Sequence, residues 1–212
     1  MEYGKITQEG IDYIISVTAP DRVFTGEAIE YDYCHDEMPE YGTSRPDVVV
    51  QAMSTQEESA IMKYAYENRI PVTPRGAGTG LAGGAVAIYG GIVLSLEKMN
   101  RILEWDLDGL TAVVEPGVLV MELANAAMEK DLFYPPEPGE KTASIGGNVM
   151  TNAGGMKAVG YGVTRNYVVS MEVVLPNGKI MQFSSNVAKN TSGYDLKDLI
   201  VGSEGTLCIA TK

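Results

Sequence analysis

Two glycine-rich stretches constrain this chain more than any other feature. The first runs Pro74-Arg75-Gly76-Ala77-Gly78-Thr79-Gly80-Leu81-Ala82-Gly83-Gly84. The second runs Ser144-Ile145-Gly146-Gly147-Asn148-Val149-Met150-Thr151-Asn152-Ala153-Gly154-Gly155. Bare backbone of this kind lets a ligand approach main-chain N–H groups closely and permits left-handed turns. Successive N–H groups aimed inward make a concave anion nest. Fixing so much glycine costs chain entropy, which a bound phosphate-bearing ligand offsets. A plain turn needs one or two glycines, whereas residues 76–84 hold five in nine.

Composition narrows the function classes. At 212 residues the chain is one large domain or two small lobes, and 45% hydrophobic content is enough for a full core. A net charge of −12 argues against nucleic acid and anionic membranes, which need Lys and Arg. A phosphate site here must therefore lean on backbone dipoles. Cys34 and Cys208 are too few for a disulfide framework. No signal peptide is visible, and no apolar run approaches the ~20 residues that span a bilayer. These readings place the protein in the cytoplasm, with no transmembrane segment.

Periodicity predicts a helix over residues 7–17 capped by Thr7, and an irregular polar stretch over 27–46. Val48-Val49-Val50 reads as a buried strand. Thr55-Gln56-Glu57-Glu58 reads as a capping box opening a helix to about Asn68. Ile70 to Thr73 is a strand running into the first glycine loop. Further strands are expected at 91–96, 102–106, 111–115, 168–175, 179–183 and 207–211, with a hairpin turn at Pro176-Asn177-Gly178. Helices are expected at Val120–Lys130 and Tyr194–Ile200. Early helix–strand alternation followed by antiparallel strands gives an α+β fold. Residues 1–46 form an N-terminal helix and connecting segment, and 47–212 the main domain. The chain stops inside or just after a strand pattern, which suggests a missing C-terminal part.

Several motifs fail on context. Gly78-x-Gly80-x-x-Gly83 matches the dinucleotide fingerprint, but a turn and strand follow it where a Rossmann site needs a helix. Gly139-Glu140-Lys141-Thr142 resembles the end of a P-loop, yet Tyr134 stands where its first glycine belongs. The only histidine, His35, sits in Tyr33-Cys34-His35-Asp36-Glu37. Adjacent residues cannot all face one ion, so this segment reads as a surface loop and no metal site is expected. In the second stretch, Ser144, Asn148, Thr151 and Asn152 can hydrogen-bond phosphate, ribose or a ring edge without adding charge. A helical turn opening near Ile145 would add its own N–H groups and dipole.

Three strings together carry a resemblance. Pro71 to Leu81, Ser144 to Asn148 with Asn152-Ala153-Gly154-Gly155, and Gly193-Tyr194-Asp195-Leu196 with Gly202-Ser203-Glu204-Gly205-Thr206 are similar to the FAD-binding domain of the p-cresol methylhydroxylase and vanillyl-alcohol oxidase superfamily. Within it they most resemble the D-lactate dehydrogenase and glycolate oxidase FAD-subunit branch. The likeness covers about residues 20–212, with the motifs in the family's order.

That resemblance implies two α+β lobes, about 20–100 and 101–212, with mixed and antiparallel sheets, flanking helices and an extended FAD between them. It implies that Pro74, Arg75, Gly76, Ala77, Gly78, Thr79 and Gly80 wrap the pyrophosphate, chiefly through backbone N–H groups. Ser144, Gly146, Gly147, Asn148, Asn152 and Gly154 would complete the cradle. Glu204, Gly205 and Ile209 would lie near the adenine side or the inner flavin wall, and Pro138 at the flavin edge. With no His or Cys in or beside either glycine loop, FAD would be held noncovalently. Two departures stand out. The family's Pro-Pro-Asp-Pro-Ser-Ser turn appears as Pro135-Pro136-Glu137-Pro138-Gly139-Glu140, and Cys208 replaces a usual glycine.

In this branch the carboxylate-binding group and histidine base belong to a C-terminal cap domain, and no histidine follows His35. The resemblance therefore implies the flavin module of a longer dehydrogenase, catalytically incomplete alone and with catalytic residues unassigned. The full enzyme would oxidise a D-2-hydroxy acid such as lactate or glycolate and pass electrons to an acceptor protein, quinone or dye. Two alternatives stay open: an FAD-holding electron-transfer subunit without a substrate site, and a nucleotide-sugar reductase on the same cofactor fold.

Overall fold

The computed structural model of the chain describes residues 3–38, 40, 42–136, 139–184, 187, 189 and 191–212. Helix α1 spans Gln8–Val17, and Thr7 caps it by accepting a hydrogen bond from Gly10 N at 3.3 Å. Strand β1 (Val23–Thr25) leads through short 3₁₀ turns to β2 (Val48–Gln51). Helix α2 (Thr55–Glu67) follows, then β3 (Val72–Arg75) and β4 (Ile92–Ser95). These strands form one sheet in the order β1-β2-β4-β3, with β1 antiparallel and the other three parallel.

The central parallel strands β2 and β4 are buried on both faces, which explains why they read as unbroken apolar runs rather than alternating ones. Val48, Val50, Ile92 and Leu94 join Ile14, Ile61 and Ala65 in the core beneath α1 and α2. Val49 and Val93 point the other way, against Ile29, Tyr33, Cys34 and Ala87. Each fully buried aliphatic side chain contributes roughly 1.5–3 kcal/mol.

The second half builds two smaller sheets. A hairpin pairs β5 (Ile102–Asp106) with β6 (Thr111–Val114). Helix α3 (Val120–Met128) and helix α4 (Ile145–Thr151) follow, then the short α5 (Ala158–Tyr161). Strands β7 (Met171–Val174), β8 (Ile180–Phe183) and β9 (Ile209–Ala210) make an antiparallel sheet in the order β8-β7-β9, with α6 (Leu196–Ile200) preceding β9. A second core gathers Val118, Val120, Leu123, Ile145, Val149 and Val173. The first core also takes in Val174 and Ile209 from this half, so the two halves share apolar interior. The α+β architecture expected from the sequence is the one observed.

Local readings needed correction in places. The helix at Thr55 is capped one residue earlier: Ser54 Oγ accepts from Glu57 N, and Glu57 accepts from Met53 N. Thr55 Oγ1 instead donates to Glu172 Oε1 at 2.8 Å, tying α2 to β7. The 168–175 strand is shorter than its β-branched run suggests. The segment around His35 is not a surface loop, since Tyr33, Cys34 and Asp36 are all buried. Among the described residues no helix is long and apolar enough to cross a membrane.

Glu58 is the largest departure. The capping-box reading gives it a solvent-facing task, yet it is 0% exposed and neither carboxyl oxygen has a hydrogen-bond partner. Burial holds its carboxyl well above the ordinary range, and the charges of Glu172 and Glu57 push the same way. A carboxyl raised in the folded state leaves stability intact below its unfolded value of about 4.3 and loses it as pH climbs through the folded value. Glu58→Gln is therefore expected to keep a higher melting temperature than wild type on the alkaline side. The check is thermal denaturation of both proteins across pH 5 to 9, with the difference between them growing as pH rises.

Candidate functional site

A cavity of about 560 Å³ opens where three backbone segments converge, within the range of small-molecule and cofactor sites. The first wall begins at the C-terminal end of β3. Pro74, Arg75, Gly76, Ala77, Gly78, Thr79 and Gly80 all line it, with Leu96 beyond the end of β4 beside them. Leu96 N donates to Arg75 O at 2.9 Å, so the parallel ladder fixes where the glycine loop leaves the sheet. Sites beyond the carboxyl ends of parallel strands are a general property of such sheets. Among the described residues, the N–H groups of Ala77, Gly78, Thr79 and Gly80 make no hydrogen bond within the protein. Gly78 has φ +75°, the left-handed region that favours glycine.

The second wall is α4 and its flanks. Ser144, Gly146, Gly147, Asn148 and Gly154 line the cavity. The walls touch: a Cβ on Gly76 would overlap Ser144 Oγ, and one on Gly146 would lie 2.6 Å from Pro116 Cβ. The start of α4 is not a free anion site. Ile145 N donates to Val118 O and Gly146 N to Pro116 O, both at 2.8 Å, while Gly147 N donates to Ser144 Oγ at 3.2 Å. The expectation that this helix end lends its N–H groups to a phosphate is thus overturned, because the protein already uses them.

The third wall comes from Glu204, Gly205, Cys208 and Ile209. Gly202 N donates to Val149 O and Glu204 N to Met150 O, so this turn is bonded onto α4. Gly205, at φ +71°, sits close to the Pro74 ring.

Two proposed positions stand apart. Asn152 does not line the cavity. It ends α4 in the left-handed conformation, and its Oδ1 accepts from Arg165 N at 3.0 Å. Pro138 lies outside the described residues. Conversely, Cys208 was noted in the sequence only as a departure from glycine, but it forms part of the wall. It is 2% exposed, and burial pushes its thiol up to about 11. Pro116 also escaped notice, since Pro-Gly after a strand signals only a stop. Nothing local in the sequence shows that its carbonyl receives Gly146 N.

One side chain in the cavity lacks a partner. Asn148 is 3% exposed, and its Nδ2 has none among the described residues. A buried donor left unpaired costs about 1–3 kcal/mol, so an acceptor on a bound ligand suits it. The loop of unused N–H groups suits a diphosphate, and bare glycine at Gly76 and Gly78 leaves no side chain in the way. The residues present fit a flavin dinucleotide.

Comparison with known proteins decides the family. Residues 46–184 match the family model described as the FAD binding domain. The chain belongs to this FAD-binding family. The D-lactate dehydrogenase of Anaerostipes hadrus is 52% identical over 211 residues, covering all of this chain and 44% of that protein. The glycolate oxidase subunit GlcD of Bacillus subtilis is 44% identical over 208 residues, covering 98% of this chain and 44% of its own length. The chain therefore spans less than half the length of these relatives. A p-cresol methylhydroxylase structure superposes with TM-score 0.79 at 24% identity, covering 97% of this chain and 43% of that one. An alkyldihydroxyacetonephosphate synthase superposes with TM-score 0.85 at 21% identity, covering 99% and 43%. Both carry the same fold. The resemblance read from the glycine strings, and FAD as the cofactor, agree with these findings.

Gly146→Ala places a methyl group against Pro116 in a fully packed seam. It is expected to cost about 1–3 kcal/mol, and each kcal/mol lowers the melting temperature of a chain this size by roughly 2–4 °C. Thermal denaturation of the FAD-free protein checks it.

Proposed function

We propose that this chain is the FAD-binding module of a dehydrogenase that oxidises a D-2-hydroxy acid of the lactate or glycolate type. The relatives named D-lactate dehydrogenase and glycolate oxidase subunit support the substrate class. The observation that carries the binding role is that one cavity is lined both by Ala77–Gly80, whose N–H groups have no partner among the described residues, and by Asn148, whose buried amide has none either. We place the boundary between the two lobes near residue 100.

In this reading the first glycine loop holds the diphosphate through main-chain dipoles. Asn148 donates its amide to an acceptor on the cofactor, and Leu96, Met150 and Ile209 exclude water. Bound there, FAD would supply the two-electron acceptor for oxidation of the alcohol. The hydroxyl proton leaves to a base, and a 2-oxo acid results. Among the described residues, the titratable side chains lining the cavity are Arg75, Glu140, Glu204 and Cys208, while His35 borders a different cavity. We assign the base and the carboxylate-binding group to the part of the enzyme that the relatives possess beyond this length. Attachment is noncovalent, because the buried Cys208 thiol stays protonated at neutral pH and protonated thiols are poor nucleophiles. The two buried free cysteines fit a reducing, cytoplasmic setting, and an electron-acceptor protein completes the cycle.

Two measurements test the reading. Titration of the purified protein with FAD is expected to give saturable uptake with visible flavin absorption, and Asn148→Ala is expected to weaken it about tenfold, or ~1.4 kcal/mol. Anaerobic addition of D-lactate or glycolate to the enzyme at its natural length is expected to bleach the flavin. Absence of FAD uptake sinks the binding role. Uptake without bleaching by any D-2-hydroxy acid favours the electron-transfer subunit instead.

A further inference from the structure

The first glycine loop has two sides. One lines the FAD cavity. The other borders a second cavity of about 300 Å³, walled by Asp32, Tyr33, Glu37, Glu97 and the loop itself. Arg75 borders both cavities. Its side chain folds back under the loop: a Cβ on Gly78 would overlap the guanidinium. Nη1 donates to His35 O at 2.7 Å, and the guanidinium carbon stands 5.7 Å from the centroid of the Tyr33 ring. Tyr33 is itself held, donating to Glu97 Oε1 at 2.5 Å and accepting from Gln51 Nε2 at 2.9 Å.

A guanidinium keeps its charge under any ordinary condition. This one is 7% exposed and forms no ion pair among the described residues. Asp32, Asp36 and Glu97 act on it only through space. A charge buried without a direct counter-ion is costly, and the loop above it is the part of the chain whose N–H groups are unused. An anion resting on that loop would supply the missing counter-charge.

We propose that Arg75 is a positioning residue, a buried counter-charge that sets the conformation of the Gly76–Gly80 loop and attracts the FAD diphosphate through it without touching the cofactor. This rests on the FAD-binding reading above. The role belongs to the side chain and is separate from the backbone N–H contacts expected of this loop.

The test is the FAD dissociation constant of wild type, Arg75→Gln and Arg75→Lys, with the melting temperature of each FAD-free protein measured alongside. Gln can still donate to the His35 carbonyl but carries no charge, whereas Lys keeps the charge and can reach the same carbonyl. The expected result is at least a tenfold weaker constant for Arg75→Gln and a constant within threefold of wild type for Arg75→Lys. A loss below tenfold in the Gln variant overturns the proposal, as does a Lys variant as weak as the Gln variant. Should Arg75→Gln fail to fold, Arg75→Lys decides alone: binding within threefold supports the role, and weaker binding overturns it. Failure of wild type to bind FAD removes the cofactor reading and this one with it. Wild-type binding with an unaffected Gln variant removes this one only.

Discussion

Close approach of the Gly76 backbone to the Ser144 side chain is the constraint on which the cavity depends. The first loop leaves a parallel sheet whose register is locked by apolar burial on both faces. The second leaves a core built around Val118, Ile145 and Val149. Because the walls rise from different apolar cores, their separation is set by how those cores pack. Val174 and Ile209 anchor the antiparallel sheet into the core under α2, and the Thr55–Glu172 hydrogen bond adds a polar tie. A side chain at Gly76 would wedge the walls apart.

The walls divide their work unequally. α4 is closed on itself, because Ser144, Pro116 and Val118 consume its first N–H groups. It serves as a shaped surface carrying the Asn148 amide. Among the described residues, the first loop keeps the N–H groups of Ala77–Gly80 free, and it lies over a buried cation. In the proposed binding mode, anion recognition in a chain of net charge −12 is concentrated in a handful of residues. Such concentration suits a low-dielectric cleft, where a few fixed dipoles act more strongly than in water.

Much of this was legible in the sequence, for reasons specific to each element. Val48-Val49-Val50 and Ile92-Val93-Leu94 announce buried parallel strands, since no alternation is needed when both faces are covered. Thr7 and Pro20 bracket α1 by ordinary capping chemistry. The glycine strings mark the cavity loops because few other pressures collect so many glycines. β1 was not visible: Val23-Phe24-Thr25 is short, partly exposed and an edge strand, so pairing with β2 defines it more than its own pattern. Ser54 and Thr55 are both good caps, and only the contact of Thr55 with Glu172 in another sheet decides between them. The fates of Glu58, Asn152 and the α4 N–H groups are long-range matters of the same kind. Asn152, Ile145 N and Gly146 N take partners from other segments, and Glu58 is decided by the elements that cover it, so no window of local sequence contains these outcomes.

Cys208 carries a consequence for durability. Oxidation of cysteine proceeds through the thiolate and requires access. Here the sulfur is sealed from solvent and kept protonated across the physiological range. The cavity wall thus carries a sulfur atom that resists chemical ageing.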